Sequence, residues 1–282
     1  MKKKLPLLAI GLIFVLGVAV LLYPVVSALL SKVTATATVN AYQAAVSAID
    51  TDARDAMLSA ARSYNAKFAD GVRPPPFDGA DSAAAKAYQA LLNVDGIMGY
   101  LEVPAIKIYL PISHGVGEDA LQKGVGHLPE SSLPVGGGGT HAVLSAHCGL
   151  PSARLFTDLD QLQIGDDFFV HVLGQTLAYR VDHIQVVLPE DVRALRVVPG
   201  KDYVTLLTCT PYGINSHRLL VRGIGVPLCG QAPAVQPDPP APPEIAAAAP
   251  RAGRAWLWLT GIPALLVLTV LLRRKRRRQK KE

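Results

Sequence analysis

An uncharged apolar run near the start of the chain constrains the fold more than any other feature. Leu5–Leu30 holds 26 residues without a charged side chain, LPLLAIGLIFVLGVAVLLYPVVSALL, whereas about 20 suffice to cross a bilayer. A second run, Ala255–Leu272, is near the lower limit for a span and carries Trp256 and Trp258, which suit a headgroup layer. Both runs predict transmembrane helices. A cleavable signal peptide is the alternative for the first run, but its length favours a retained anchor.

The location of the charges predicts the topology. The formal net charge is +6, of which Lys2–Lys4 contribute +3 and Arg273–Glu282 contribute +7, so the remainder of the chain carries −4. Positive residues therefore flank the outer ends of the two apolar runs, which places both termini in the cytoplasm and the intervening chain outside the cell. A nucleic-acid partner would need a basic stripe on the folded part, so none is expected.

The segment that follows the first run reads as helical. Thr34–Phe68 contains no glycine or proline, and its apolar residues recur at helical spacing, which predicts one or two amphipathic helices. Asp70–Ser82 includes three successive prolines and is expected to be an exposed loop, and Ala83–Leu92 is expected to form a short helix. The apolar positions of the first segment are Val39, Tyr42, Val46, Ile49, Met57, Ala61, Tyr64 and Phe68.

From Gly99 to Val226 the chain consists of short β-branched runs separated by glycine and proline. This texture predicts a mainly β fold, a closed or nearly closed barrel. Pro227–Pro250 is a proline-rich tether. The predicted organisation is a membrane anchor (1–32), juxtamembrane helices and a loop (33–98), the barrel (99–226), a linker (227–254), and a second transmembrane helix with a basic tail (255–282).

A cysteine and an arginine flank one predicted turn. In the run YVTLLTC, alternation puts Cys209 on the same face as Tyr203, Thr205 and Leu207, and Pro211 then breaks the strand. If the next strand returns antiparallel from Arg218, the two side chains lie roughly 5 Å apart across the hairpin. The guanidinium could favour a thiolate or hold an oxyanion. The alternative is a small core cysteine beside a solvated arginine.

A histidine at another strand end adds a proton carrier. THAVLSAH is predicted to be a strand ending at His147, with a turn at Gly149 and Pro151. A cysteine with a histidine distant in sequence is a candidate nucleophile with its general acid and base. The spacing alone leaves open whether imidazole and thiol meet.

Four longer segments carry a family resemblance. LLNVDGIMGYLEVPAIKIYLPI, KGVGHLPESSLPVGG, HAVLSAHCGLPSARLFTDLDQLQIGD and TLLTCTPYGINSHRLLVRG together resemble the class C sortases, the pilin-polymerising transpeptidases of Gram-positive bacteria. The resemblance implies an eight-stranded sortase-type β-barrel with N-terminal helices. It also implies that Cys209 is the nucleophile, His147 the general acid and base, and Arg218 the group that stabilises the oxyanion.

The implied reaction is an acyl transfer without a cofactor. The enzyme would cleave an LPXTG-like sorting signal between Thr and Gly and join pilin subunits through lysine isopeptide bonds. The implied partners are pilins with such C-terminal signals, the lipid bilayer and, for some members, a peptidoglycan precursor; the implied location is the plasma membrane of a Gram-positive bacterium. Two alternatives remain: a housekeeping-type sortase that attaches surface proteins to the cell wall, and a non-enzymatic surface scaffold.

Two positions depart from the family pattern. The family often carries an Asp-Pro-aromatic lid over the cysteine, whereas RPPPFDG offers Phe77 and Asp78 and lacks the acid at its usual place. The residue after the histidine is usually arginine and is here Cys148. Packing is the simplest role for Cys148; a disulfide with Cys229 or a redox lock on Cys209 are alternatives in an oxidising compartment.

The other histidines are expected to be structural. His127 and His141 fall within family-like motifs and are expected to organise the core or a loop. His141, His147, Cys148 and Cys209 could be counted as zinc ligands, but they lack the paired short spacings of structural zinc sites, so no metal is expected.

Overall fold

The computed structural model describes residues 5–68 and 82–228. The helices are α1 (Leu5–Ala48), α2 (Thr51–Asn65), α3 (Ala83–Ala90) and α4 (Glu118–Lys123). The strands are β1 (Ile97–Val103), β2 (Ile108–His114), β3 (Val125–His127), β4 (Thr140–Ser145), β5 (Asp167–Val172), β6 (Gln175–Val187), β7 (Asp202–Thr210) and β8 (His217–Val226). Short 3₁₀ turns occupy Ala66–Phe68, Pro104–Ile106, Leu159–Gln161 and Arg193–Leu195. The predicted second transmembrane helix, most of the proline-rich linker and both charged tails lie outside the described residues.

The eight strands form a closed barrel in the order β1-β2-β3-β4-β7-β8-β6-β5. Two neighbouring pairs, β2 with β3 and β4 with β7, run parallel, and the other pairs run antiparallel. The predicted mainly β, eight-stranded barrel with N-terminal helices is therefore confirmed. Closure removes the exposed strand edges that an open sheet of this size would have to protect.

The barrel interior is filled from alternate strand positions. In β7, Val204 and Leu206 belong to the core, and in β8 the core residues are Leu219 and Val221. Neighbouring positions on each strand face outward, away from this core. The outer face of β4, β7 and β8 is thus a second surface with its own side chains, and the candidate site lies on it.

The helix α1 has two unlike halves. The part from Gly11 onward is long and apolar enough to cross a membrane, by length and composition alone, and side chains such as Leu16 and Leu21 are exposed. In the second half, Ala35, Val39 and Tyr42 are buried against the barrel at helical spacing. The expected boundary between anchor and juxtamembrane helices, at residues 32 and 33, lies inside this single helix.

Tyr42 fixes the packed half of α1 to two strands. Its hydroxyl donates to the carbonyl oxygen of Met98 at 3.1 Å and accepts from the amide of Leu173 at 2.8 Å. Burial raises the pKa of Tyr42 to about 12, so the hydroxyl remains a donor at any physiological pH. The predicted helical periodicity of this segment is confirmed at Val39, Tyr42 and Val46.

Two further helices support the loops beside the barrel. The side chain of Asp50 caps α2 by accepting from the amide of Ala53 at 2.8 Å. At the other end of α2, buried Asn65 donates to the carbonyl oxygen of Leu133 at 2.9 Å and accepts from its amide at 2.7 Å, which pins the β3–β4 connection. The short helix expected at Ala83–Leu92 is present as α3.

Candidate active site

Alternation along β7 brings Cys209 to the outer face of the barrel. Val204 and Leu206 face the core, so Leu207 and Cys209, at the odd-numbered positions that follow, face away from it, and both are only partly buried. The thiol of Cys209 is free. Cys209 therefore sits near the end of its strand, on the surface that β4, β7 and β8 share.

Arg218 lies directly across the hairpin from Cys209. β7 and β8 are antiparallel, and Cys209 pairs with Arg218 in their register, as the sequence predicted. Residues opposite each other project to the same face, with their Cβ atoms about 5 Å apart. The Nη1 atom of Arg218 donates to the carbonyl oxygens of Asn215 at 3.1 Å and His217 at 3.0 Å, which turns the guanidinium toward the β7–β8 loop.

His147 follows the strand that runs parallel to β7. The last paired residues are Ser145 and Leu207, two positions before His147 and Cys209 respectively. One residue further, the amide of Ala146 still donates to Leu207 at 3.2 Å, and its carbonyl accepts from the hydroxyl of Thr208 at 2.7 Å. The chain thus stays bound to β7 up to Ala146, which places His147 beside the end of β7.

The predicted strand end at His147 is two residues too long. β4 ends at Ser145, because the carbonyl of His147 accepts from the amide of Phe156 at 3.0 Å instead of continuing the ladder. The chain then turns at Gly149, whose φ of +79° favours glycine. A Cβ atom there would also lie 2.9 Å from the ring of Tyr212, so glycine lets the β4 and β7–β8 loops approach each other.

The ring of His147 has a nitrogen without a hydrogen-bond partner. Nε2 is buried and makes no hydrogen bond, and the nearest acid is Glu118 of α4, with Oε2 at 3.7 Å. This separation is too long for a hydrogen bond but short enough for an ion pair when the ring is protonated. Nothing in the sequence between α4 and β4 indicated this neighbour, because the contact depends on how α4 packs.

The second cysteine has a different environment. Burial raises the pKa of the Cys148 thiol, and the charges of Asp160, Cys209 and Asp158 raise it further. A thiol that stays protonated is a poor nucleophile. Both described cysteines are free thiols, and Cys229 lies outside the described residues, as do Phe77 and Asp78 of the predicted lid.

The two buried histidines have both ring nitrogens bonded. In His141, Nδ1 donates to the carbonyl of Arg196 at 2.9 Å and Nε2 accepts from the hydroxyl of Thr205 at 2.7 Å. In His127, Nε2 donates to the carbonyl of Ser132 and Nδ1 accepts from the hydroxyl of Tyr88, each at 2.8 Å. Burial lowers the pKa of each ring to about 4. The His127 ring thus holds the β3–β4 loop, and the His141 ring holds the β6–β7 connection against β7.

The described part of the chain holds no cluster of three or more histidine, cysteine or acidic side chains that could bind a metal ion. The groups gathered at the strand ends are instead a thiol, an imidazole and a guanidinium. Together they can supply a nucleophile, a proton carrier and a fixed positive charge.

Comparison with known proteins identifies the same architecture elsewhere. Residues 101–225 match the family model described as "Sortase domain". The crystal structure of sortase C1 from Streptococcus agalactiae is 45% identical, with a TM-score of 0.64, over 68% of this chain and 98% of that one. Sortase C-1 from Actinomyces oris is 46% identical, with a TM-score of 0.59, over 62% of this chain and 99% of that one.

A curated relative matches over a shorter stretch. Sortase A of Streptococcus agalactiae serotype III is 32% identical over 117 residues, which is 40% of this chain. The aligned part spans 47% of that relative, about half its length.

Proposed function

This chain belongs to the sortase family, with class C members among its structural neighbours, and on that premise we propose that it is a membrane-anchored cysteine transpeptidase that joins pilin subunits. The observation that carries the proposal is the register at the ends of three adjacent strands. Cys209 and Arg218 are direct cross-strand partners, and His147 follows the strand that pairs with β7 on its other side.

The first half-reaction would form a thioester. The thiolate of Cys209 attacks the carbonyl carbon between Thr and Gly of an LPXTG-like signal, and the negative charge that develops on the carbonyl oxygen lies on the face occupied by Arg218. Arginine suits this role because its guanidinium stays charged and donates in a fixed fork. The carbon–nitrogen bond then breaks, and protonated His147 gives its proton to the departing glycine amine.

The second half-reaction would resolve the thioester with a lysine amine of another pilin. His147, now neutral, accepts a proton from the attacking amine, an isopeptide bond forms, and Cys209 leaves as the thiolate. The unpartnered Nε2 of His147 supports this exchange, because no internal hydrogen bond has to break before a proton moves. The chemistry needs no metal or organic cofactor.

The membrane location is part of the same proposal, and the apolar half of α1 supports it. Its apolar half would lie in the plasma membrane with the barrel on the outer side, and the run at residues 255–272 would supply a second anchor. Phe77 and Asp78 would belong to a lid above Cys209. Pilins that carry C-terminal sorting signals would be the substrates, and a cell-wall peptide acceptor is the competing assignment.

The test is intact-mass spectrometry of the full-length protein incubated with an LPXTG-type peptide. We expect an acyl adduct on the wild type, none on Cys209→Ala, and an undiminished adduct on Cys148→Ala, which is the matched control because it removes the neighbouring thiol. Adding a lysine-containing pilin peptide should discharge the thioester, whereas a cell-wall peptide amine should not. No adduct on either the wild type or Phe77→Ala, with Cys209 reduced, would overturn the proposal.

A further inference from the structure

A cavity lies where α1 meets the barrel, separate from the groups around Cys209. Its volume is about 550 Å³, within the range of small-molecule binding sites. One wall is α1, the floor is the β1–β2 turn with the start of β2, and the other wall is the segment after β4. The lining residues are Ala28, Ser31, Lys32, Thr36, Ala105, Ile106, Lys107, Ile108, Tyr109, Leu110, Arg154, Leu155, Asp158 and Gln161.

The cavity lies next to the point along α1 where the barrel begins to cover one face of the helix. Ala28 and Ser31 continue toward the N-terminus the stripe that Ala35 and Val39 bury against the barrel. At this level the hydroxyl of Ser27 donates to the carbonyl oxygen of Ser152 at 3.2 Å. This contact joins α1 to the loop after β4, so both walls of the cavity belong to one packed unit.

If α1 spans the membrane as proposed, the length of its apolar run puts this cavity at the membrane surface. As a helix, Leu5–Leu30 is about 39 Å long, which exceeds the roughly 30 Å hydrocarbon core by about six residues. With α1 in the membrane, as proposed above, the last turns of the run would reach the headgroup layer. Leu30 and Val33, on the uncovered side of α1, are more than 60% exposed, which fits a helix still surrounded by lipid at the level of the cavity.

The charges that line the cavity are mostly positive. Arg154 is paired with Asp158, Nη2 to Oδ2, at 2.6 Å, so these two charges offset each other. Lys32 and Lys107 have no ion pair with any described residue. Lys32 and Lys107 thus line a space whose other charged residues, Arg154 and Asp158, are paired with each other, and whose remaining lining is a mixture of apolar and neutral polar side chains. An anion with an attached apolar part would complement this lining.

We propose that this cavity binds the headgroup of an anionic phospholipid from the outer leaflet in which α1 is inserted. The phosphate would lie between Lys32 and Lys107, and the glycerol and upper acyl carbons would lie against Ala105, Ile106 and Leu155. The bound lipid would then act as a fitted spacer between anchor and barrel. This inference needs α1 in the membrane but does not depend on the chemistry of Cys209.

The test is native mass spectrometry of the detergent-solubilised full-length protein, titrated with phosphatidylglycerol or with phosphatidylcholine of the same acyl chains. We expect the protein to retain phosphatidylglycerol preferentially. The double variant Lys32→Gln/Lys107→Gln should weaken that binding about thirty-fold, because each lysine at an anionic surface contributes about fivefold. Ala105→Trp, which fills the cavity without changing charge, should also lower retention.

The matched control is Lys67→Gln/Lys86→Gln, two exposed lysines that do not line the cavity: Lys67 follows α2 and Lys86 lies in α3. It should bind phosphatidylglycerol as the wild type does. The proposal would be overturned if the protein retained the two lipids equally, or if the control variant lost as much phosphatidylglycerol binding as the cavity variant. Either result would mean that no site in the cavity selects the anionic lipid. Flotation with vesicles reports anchoring separately, and all variants should float.

Discussion

The histidines at the two ends of the β4 segment occupy contrasting surroundings. His141 is buried with both ring nitrogens hydrogen-bonded, whereas His147 lies just past the strand end with its buried Nε2 unpartnered and a carboxylate 3.7 Å away. Both were visible in the sequence as histidines within family-like segments. On the proposed mechanism, the number of hydrogen bonds to the ring, not burial alone, would distinguish a histidine that holds the fold together from one that exchanges protons.

The largest effect is expected from removing the ring of His147, whose Nε2 has no hydrogen-bond partner. His147→Ala should lower the rate of acyl-adduct formation about 10³-fold, because general acid and base catalysis typically contributes 10²- to 10⁴-fold. The melting temperature should hardly change, since Nε2 makes no hydrogen bond in the fold. Intact-mass spectrometry measures the rate of acyl-adduct formation, and circular dichroism measures the melting temperature.

His141→Ala is the counterpart of that variant. It should lower the free energy of unfolding by about 2 kcal/mol or more, because it strands the buried hydroxyl of Thr205 and the carbonyl of Arg196. If His141→Ala loses acyl-transfer activity while its free energy of unfolding stays that of the wild type, the proposed difference in role between His141 and His147 is wrong.

The two buried histidines whose ring nitrogens are both hydrogen-bonded, His127 and His141, should also make the free energy of unfolding depend on pH. The folded pKa of His127 and of His141 is about 4, against 6.5 for the model group, so the unfolded chain binds more protons between these values. The free energy of unfolding should therefore fall as the pH drops from 6.5 to 4, by up to about 3 kcal/mol per ring. Urea unfolding at a series of pH values measures it.

His127→Gln tests the origin of that slope. The variant should be less stable at neutral pH, and its free energy of unfolding should depend less steeply on pH between 6.5 and 4, because one of the rings with a lowered pKa is gone. If the free energy of unfolding of the variant falls with pH as steeply as that of the wild type, groups other than the two buried histidines determine the acid sensitivity.

A smaller catalytic effect is expected at the arginine that faces Cys209. Arg218→Lys keeps the positive charge but loses the planar fork that is held by the carbonyls of Asn215 and His217, so acyl transfer should slow roughly 100-fold. Arg180→Lys is the control, because Arg180 pairs with Asp167 on the exposed side of β5 and β6. If Arg218→Lys transfers the acyl group at nearly the wild-type rate, Arg218 contributes only its positive charge.

The smallest effect is expected at Glu118. Its side chain is 65% exposed, and pairs of this kind contribute about 0 to 1 kcal/mol, so Glu118→Gln should change the acyl-transfer rate less than about fivefold. The neighbouring Asp119→Asn should leave the rate unchanged. A loss as large as that of His147→Ala would show that the carboxylate is required for the ring to act.

The outer-face placement of Cys209 and its pairing with Arg218 could be predicted, because alternation along a strand and the register of a short hairpin are local properties. The three-residue β3 could not, since Val125–His127 is too short to show a period. The sequence predicts the end of β4 two residues late, because the hydrogen bond from the amide of Phe156 to the carbonyl of His147 joins residues that are not close in sequence. The approach of Glu118 to His147 likewise depends on tertiary packing, which no spacing in the sequence records.

The unbroken course of α1 has a consequence for how substrates arrive. A helix that leaves the bilayer and packs directly on the barrel, with Ser27 bonded to the loop that follows His147, would hold the strand ends at a fixed height and tilt above the lipid. A protein anchored in the same leaflet would then meet the site by lateral diffusion in two dimensions. Its effective concentration would depend on whether the stalk below its sorting signal matches that height. Inserting residues between the anchor and the packed half of α1 would put enzyme and substrate out of reach of each other without altering a single group at the strand ends.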